Sequence, residues 1–93
     1  MFRWAEGVDA PHIAAVSAGL DSLPGLIPEI AGYHHGSDLG LTDTTLDYVV
    51  VGEFESVDDY AVYSDHPAHR SMIAELIAGR VTERVSAQYE LAG

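Results

Sequence analysis

The sequence predicts a single α+β domain in which one antiparallel sheet carries its helices on one face. Residues 9–23 and 67–79 repeat apolar side chains at helical spacing, whereas residues 81–91 alternate apolar and polar side chains as a strand does. Residues 46–55 are apolar on both faces of a further predicted strand. Because the 93 residues contain no repeat or linker, one domain over residues 1–93 is expected.

The first strand and the first helix follow from local signals. Residues 2–5 are predicted to form a short strand, and Gly7 starts the turn after it. Asp9 is expected to cap the helix, with Pro11 in its first turn, and Pro24, Gly25 and Pro28 are expected to end it. The apolar face of this helix is predicted to contain Ile13, Val16, Leu20 and Leu23.

Two further strands are predicted over residues 30–37 and residues 46–55. One face of the second of these strands is expected to carry Leu46, Tyr48, Val50 and Phe54. Val49 and Val51 project from the other face, so the middle of this strand is apolar on both sides. Both of its faces therefore need to be covered.

Two helices are predicted between this strand and the last one. Ser56 and Asp59 match a capping box for a short helix that ends near Ser64. Pro67 is expected to begin a third helix, which Gly79 stops. The buried stripe of the third helix is predicted to contain Met72, Ile73, Leu76 and Ile77.

The last strand decides the topology. Residues 81–91 alternate strictly, with Val81 facing inward and Arg84 facing outward, which suits an edge position. The resulting order, β-α-β-β-α-α-β, is a ferredoxin-like layout with a four-stranded antiparallel sheet. Helices on one face leave Val49 and Val51 uncovered, so a second copy is expected to pack its own sheet there. The sequence therefore predicts a homodimer that forms through the open sheet face.

The composition argues against several classes of function. The chain has no cysteine for a disulfide or a thiolate nucleophile and no lysine for a Schiff base, and its four cations are all arginines. A formal net charge of -11 argues against nucleic acid and anionic membranes as partners. The sequence contains no dinucleotide fingerprint, phosphate loop or nucleophile elbow, and no cofactor is expected. With no signal peptide and no long apolar run, a cytoplasmic location is expected.

Residues 59–70 gather most of the potential proton-transfer groups of the chain. Pro67 pushes His66 out of helical conformation, so Tyr63 would end one helix and His69 would begin the next. Residues six apart on one continuous helix point to different sides, and the break is what lets Tyr63 and His69 converge. His66 itself is expected to hydrogen-bond backbone at the helix entrance.

This pattern resembles the stress-responsive A/B barrel family, called Dabb. The resemblance is carried by Leu23-Pro24, Ile27-Pro28, Tyr48, Phe54-Glu55-Ser56, Tyr60 and Tyr63, and above all by His66-Pro67-Ala68-His69. It implies a dimeric α+β barrel in which two ferredoxin-like subunits join their sheets. Members usually have several residues, often including a histidine, before the segment that matches residues 2–4. Either the natural start then lies upstream of Met1, or the sheet tolerates a short central strand.

The resemblance also implies a candidate chemistry. Most members have no assigned activity, whereas a plant branch consists of polyketide cyclases that close a linear polyketide by intramolecular aldol condensation. At the matching positions, His69 would be the general base on an acidic carbon between carbonyls, and Tyr63 would hydrogen-bond the oxygen that becomes negative. A helix N-terminus lowers the pKa of His69 and Asp65 raises it, and the sequence leaves the balance open.

No metal site is expected. His34 and His35 are adjacent on a predicted strand and face opposite sides, so they cannot easily hold one ion. His66 and His69 have a suitable spacing only if both are helical, and Pro67 prevents that.

Two functions from different classes are left open. The first, which we favour, is a binding or stress-associated protein whose pocket between helices and sheet holds a small apolar or aromatic molecule. The predicted ligand-binding residues are Tyr33, Tyr48, Tyr63, His66, His69 and Ile73. The second is a cofactor-independent cyclase, or a related lyase or isomerase, that uses His69 and Tyr63 as catalytic residues.

Overall fold

The computed structural model describes residues 1–43 and 46–90 of the chain. The predicted order of elements and the ferredoxin-like α+β fold are confirmed. The elements are β1 (Phe2–Trp4), α1 (Ala10–Leu26), β2 (Gly32–Ser37), β3 (Tyr48–Glu53), α2 (Val57–Asp65), α3 (Pro67–Met72), a π-helical continuation of α3 (Ile73–Ile77) and β4 (Val81–Arg84).

The four strands form one open antiparallel sheet in the order β2-β3-β1-β4. β2 and β3 pair along their whole length, from Gly32 opposite Glu53 to Ser37 opposite Tyr48. The central strand β1 is three residues long and meets β3 through Phe2 opposite Tyr48. β4 lies at the edge, as predicted. The sheet is open and is not closed into a barrel within the chain.

α1 is held by local contacts at both ends. The Asp9 carboxylate accepts a hydrogen bond at 3.0 Å from the backbone amide three residues on, which confirms the predicted cap. The helix runs through Pro24 and Gly25 and ends at Leu26, before Pro28, within the stretch expected to end it. Pro24 removes only one amide donor from the last turn, and the buried Ile27 closes that turn by donating its amide hydrogen to the Leu23 carbonyl at 2.8 Å.

The two later helices begin where the sequence predicts. The Ser56 hydroxyl caps α2 by accepting a hydrogen bond at 3.1 Å from the amide three residues on. Pro67 begins α3. After Met72 the helix widens into a π-helical segment, which apolar spacing in the sequence does not reveal. Gly79 follows this segment with a φ of +77°, a conformation that residues with a Cβ rarely adopt.

β4 is shorter than the predicted strand over residues 81–91, since it ends at Arg84. Its pairing partner β1 begins next to Met1, and the Met1 amino group and carbonyl make the last two hydrogen bonds, to Val85 at 2.9 and 3.0 Å. Beyond Arg84, residues 85–90 lie outside regular structure. Leu91, the predicted end of the strand, lies outside the described residues.

A β-bulge between β1 and β4 reverses one predicted orientation. Phe2 lies opposite Arg84 and Trp4 lies opposite Val81, so four residues of β4 face three residues of β1. The extra residue interrupts the alternation and places Arg84 on the same face as the buried Phe2. Arg84 is exposed, as expected for a polar residue of this strand, but it lies on the helix side of the sheet rather than on the open side.

The helices cover one face of the sheet and form the hydrophobic core with it. Its buried members are Phe2, Val16, Leu20, Leu23, Ile27, Tyr48, Met72 and Ile77. On the other face Val49 and Val51 are 37% and 44% exposed, as the strand pattern predicts. No helix in the described part of the chain combines the length and hydrophobicity needed to cross a membrane.

Candidate functional site

The break between α2 and α3 brings Tyr63 and His69 together. α2 ends at Asp65, and His66 adopts an extended conformation with φ −62° and ψ 135° before Pro67 starts the next helix. The rings of Tyr63 and His69 lie with their centroids 4.3 Å apart. The convergence expected from the His-Pro break is thus present, while the catalytic roles of the two side chains stay a prediction.

Tyr33 joins this pair from β2. Its hydroxyl lies 2.8 Å from the Tyr63 hydroxyl, and the two rings meet edge to face at 5.8 Å. Phe54 packs against Tyr63 at 5.0 Å, and Tyr60 lies beside both. A strand and two helices therefore build one half-buried aromatic cluster, which we call the Tyr63 cluster: Tyr33, Phe54, Tyr60, Tyr63 and His69.

His66 has a structural role at the start of α3. Its Nδ1 atom accepts a hydrogen bond at 3.0 Å from the Ala68 amide, as expected for a histidine at a helix entrance. The ring is partly buried, and this hydrogen bond uses the lone pair of Nδ1. A contribution of His66 to ligand binding stays a prediction.

Ile73 and Tyr48, the other predicted ligand-binding residues, belong to or pack against the hydrophobic core. Ile73 packs, partly buried, against the core. Tyr48 is buried, and its hydroxyl lies 2.7 Å from Nδ1 of His35. The ring of Tyr33 is 6.3 Å from that of His35, which makes the two groups of polar aromatic side chains neighbours along β2.

One hydrogen bond assigns the proton of neutral His69. Its Nδ1 lies 3.1 Å from the Ser64 carbonyl oxygen, which only accepts, so Nδ1 carries the hydrogen and Nε2 keeps a lone pair. Burial lowers the pKa of His69, and the positive charges of Arg84 and Arg70 lower it further, against the opposing effect of the Ser64 hydrogen bond. Asp65, expected to favour the cation, instead pairs with Arg70 at 3.2 Å.

Tyr33 and Tyr63 carry neutral hydroxyl groups at physiological pH. Burial is the main cause that raises the pKa of both Tyr33 and Tyr63. The two hydroxyl groups lie 2.8 Å apart and share one hydrogen bond, in which either oxygen can be the donor. When Tyr33 donates, the hydrogen of the Tyr63 hydroxyl is available to another acceptor.

Sequence reasoning missed Arg84 as a member of the site. The bulge places Arg84 on the helix face of the sheet, and its charge lowers the pKa of His69 and opposes the rise in that of Tyr63. Among the described residues, Arg84 makes no side-chain ion pair or hydrogen bond, unlike Arg3 and Arg70. A two-residue period cannot reveal this placement, because the signal lies in the pairing with β1.

The arrangement places a proton acceptor, Nε2 of His69, beside a proton donor, the Tyr63 hydroxyl, with a positive charge in range. Such a group can hold a polar oxygen of a ligand or move a proton to or from it. Within residues 1–43 and 46–90 no three His, Asp or Glu side chains lie close enough to hold a metal ion.

The lowered pKa of His69 gives a testable prediction. We expect its imidazole to titrate below 6.5 in the folded protein and closer to that value in the urea-unfolded chain. The unfolded chain then takes up the proton first. The contribution of His69 to stability is therefore complete above about pH 6.5 and is lost as the pH falls towards the folded pKa. An NMR titration that finds the folded pKa above the unfolded one would contradict the described environment.

Comparisons with known proteins place these features in context. The family model of the stress responsive A/B barrel domain matches residues 1–91. A dimeric ferredoxin-like protein of unknown function from Thermobifida fusca superimposes with a TM-score of 0.89 at 37% identity, over 98% of this chain and 85% of that chain. A dimeric protein of unknown function from Bacteroides fragilis gives a TM-score of 0.80 at 22% identity, over 97% and 89%.

A hypothetical protein of Arabidopsis thaliana, solved in solution, gives a TM-score of 0.84 at 22% identity, over 100% of this chain and 84% of that one. At that identity the likeness to the Bacteroides and Arabidopsis proteins shows the fold alone. No curated protein matches the chain.

Proposed function

Because this chain belongs to the stress responsive A/B barrel domain family, we propose that it is a homodimeric protein that binds a small apolar or aromatic molecule in a stress-associated role. The observation that carries the proposal is the Tyr63 cluster, in which three rings from three elements lie in contact: the Tyr33 and Tyr63 hydroxyls are 2.8 Å apart, and the ring centroids of Tyr63 and His69 are 4.3 Å apart. Aromatic rings with a few convergent polar groups are typical of small-molecule sites. The cytoplasmic location expected from the sequence stays a prediction.

The dimer is proposed to form through the open sheet face. Val49 and Val51 form an apolar strip on the face that the helices leave bare. The similar proteins from Thermobifida fusca and Bacteroides fragilis are described as dimeric. Packing two such sheets face to face would bury both strips and produce the barrel, while each helix face stays free for a ligand.

The proposed ligand would contact the Tyr63 cluster and Ile73, with Tyr48 and His66 at the margins. Tyr63 offers a hydroxyl hydrogen and His69 offers the lone pair of Nε2, so the ligand would be apolar or aromatic with at least one polar oxygen. Arg84 favours an oxygen that carries partial or full negative charge, because its guanidinium has no ion-pair partner among the described residues.

A second candidate function, a cofactor-independent cyclase or related lyase or isomerase, is favoured by the proton state of His69. Neutral Nε2 would take a proton from a carbon between two carbonyls, and the resulting enolate carbon would attack a second carbonyl carbon of the same chain. The new carbon-carbon bond leaves an alkoxide, which regains a proton from the imidazolium. Tyr63 and Arg84 would stabilise the negative oxygen through the two steps.

Native mass spectrometry of the protein purified from its source tests the binding proposal. We expect a bound small molecule, whose affinity falls about fivefold in Tyr63→Phe because one hydrogen bond is lost. Tyr89→Phe is the matched control, since Tyr89 is 79% exposed and should leave the occupied fraction unchanged. Equal occupancy in the three proteins would contradict the proposed site.

Turnover of poly-β-keto substrates separates the two candidate functions. A binding protein should give no cyclised product, or the same rate for wild type and His69→Ala. If wild type forms the product and His69→Ala does not, the enzyme is the correct alternative.

A further inference from the structure

We propose that Asp21, His35 and Tyr48 form a second small-molecule site, which binds neutral planar compounds that carry a phenolic or enolic hydroxyl group. The site uses none of the side chains of the Tyr63 cluster, although His35 and Tyr33 are neighbours on β2. We call these three residues the His35 row.

The His35 row is assembled from three elements of the fold. Tyr48 begins β3 opposite Ser37, and His35 lies two residues before Ser37 on β2, so the two rings are diagonal neighbours on the helix face of the sheet. The rings are nearly parallel, with centroids 6.0 Å apart, and the Tyr48 hydroxyl lies 2.7 Å from Nδ1 of His35. Asp21 reaches from α1 and places a carboxylate oxygen 2.6 Å from Nε2.

These contacts determine which atoms carry hydrogens. The Asp21 carboxylate can only accept, so Nε2 of His35 carries a hydrogen and, in neutral imidazole, Nδ1 has the lone pair. Nδ1 therefore accepts a hydrogen bond from the Tyr48 hydroxyl. The oxygen of Tyr48 has already given its hydrogen to His35 and can only accept from a ligand, which selects a ligand that donates.

An open cleft of about 430 Å³ lies beside the row, between α1 and β2. His35 and Tyr48 line it together with Ala10, Ala14 and Gly36, whose side chains are small or absent. A gap between a helix and a strand with so little side-chain bulk suits a flat ring. None of the described lining residues is lysine, arginine, aspartate or glutamate, so a neutral ligand is favoured.

The contribution of Asp21 to folding stability does not by itself explain its contact with His35. The Asp21 side chain is 72% exposed, and an ion pair at such a position contributes little to folding. The His35 side chain is only 8% exposed, so what Asp21 determines is the tautomer of a nearly buried ring beside a cleft. Asp21 is thus a positioning residue, and Tyr48 is the residue that contacts the ligand.

An NMR titration with two probes tests the proposal. 2-Naphthol carries the required hydroxyl, whereas 2-methoxynaphthalene has the same ring system with that hydroxyl methylated. We expect the wild-type protein to bind 2-naphthol about tenfold more tightly than 2-methoxynaphthalene, because one hydrogen bond shielded from water contributes about that factor to affinity. The largest amide chemical-shift changes are expected at Ala14 and Gly36. Tyr48→Phe keeps the ring and should remove the preference.

Two further variants assign the effect to the row. Asp21→Ala changes an exposed residue, so the fold is retained, and it should reduce the preference about threefold because the tautomer of His35 is no longer held. Asp58→Ala, an exposed aspartate on α2, is its matched control and should have no effect. His69→Ala should also leave both affinities unchanged, which separates this site from the Tyr63 cluster. Equal affinities for the two probes, shifts centred on Tyr63, or an unchanged preference in Tyr48→Phe would overturn the proposal.

Discussion

A Val51→Asp variant is expected to sediment as a monomer of 10.0 kDa, and the wild-type chain as a dimer of twice that mass. Val51 lies 44% exposed in the middle of β3 on the open face, where the second sheet is proposed to pack. Burying a carboxylate there costs several kcal/mol per subunit, and the symmetry of a dimer introduces two of them. That loss is large compared with the net free energy of association of an interface of standard size.

Val57→Asp is the matched control for this experiment. Val57 is 78% exposed and is the first residue of α2, where a negative charge is favourable near the N-terminal end of the helix. The same chemical change should therefore leave the sedimenting mass at that of the dimer. If Val51→Asp remains dimeric at micromolar concentration, the open face is not the interface.

Leu23→Ala is expected to lower the free energy of unfolding by about 3 kcal/mol. Leu23 is 1% exposed and belongs to the hydrophobic core, so the loss of its side chain leaves a cavity. For a small domain whose total stability is about 5–15 kcal/mol, this is a large fraction. Urea unfolding at one fixed protein concentration measures the effect, since a dimer makes apparent stability depend on concentration.

Leu26→Ala provides the comparison on the same helix. Leu26 is 57% exposed, three residues after Leu23, and its truncation should change the free energy of unfolding by about 0.5 kcal/mol or less. Equal effects of the two substitutions would mean that α1 does not bury the face assigned to it.

Local signals in the sequence predicted the features that local forces determine. Asp9 and Ser56 cap helices because a short polar side chain can satisfy amides within three residues of itself. Pro67 breaks the helix because its ring excludes helical backbone at His66. The exposed Val49 and Val51 followed from the two-residue period of a strand.

The missed features depend on contacts between distant segments. Arg84 faces the helices because four residues of β4 pair with three of β1, a count that neither strand contains alone. The hydrogen-bond partners of His35 are Asp21 on α1 and Tyr48 on β3. Because these residues are distant in the sequence, the adjacent histidines alone do not predict the contacts.

The π-helical segment after Met72 has a consequence for sequence change in this part of the chain. A π turn accommodates one residue more than an α turn, so losing a single residue here would restore regular α geometry. The wide turn takes up the extra residue, so its loss would leave the side chains that follow it, including the buried Ile77, close to their present positions. Among natural variants, the loss of one residue should thus be tolerated better in this segment than within α1.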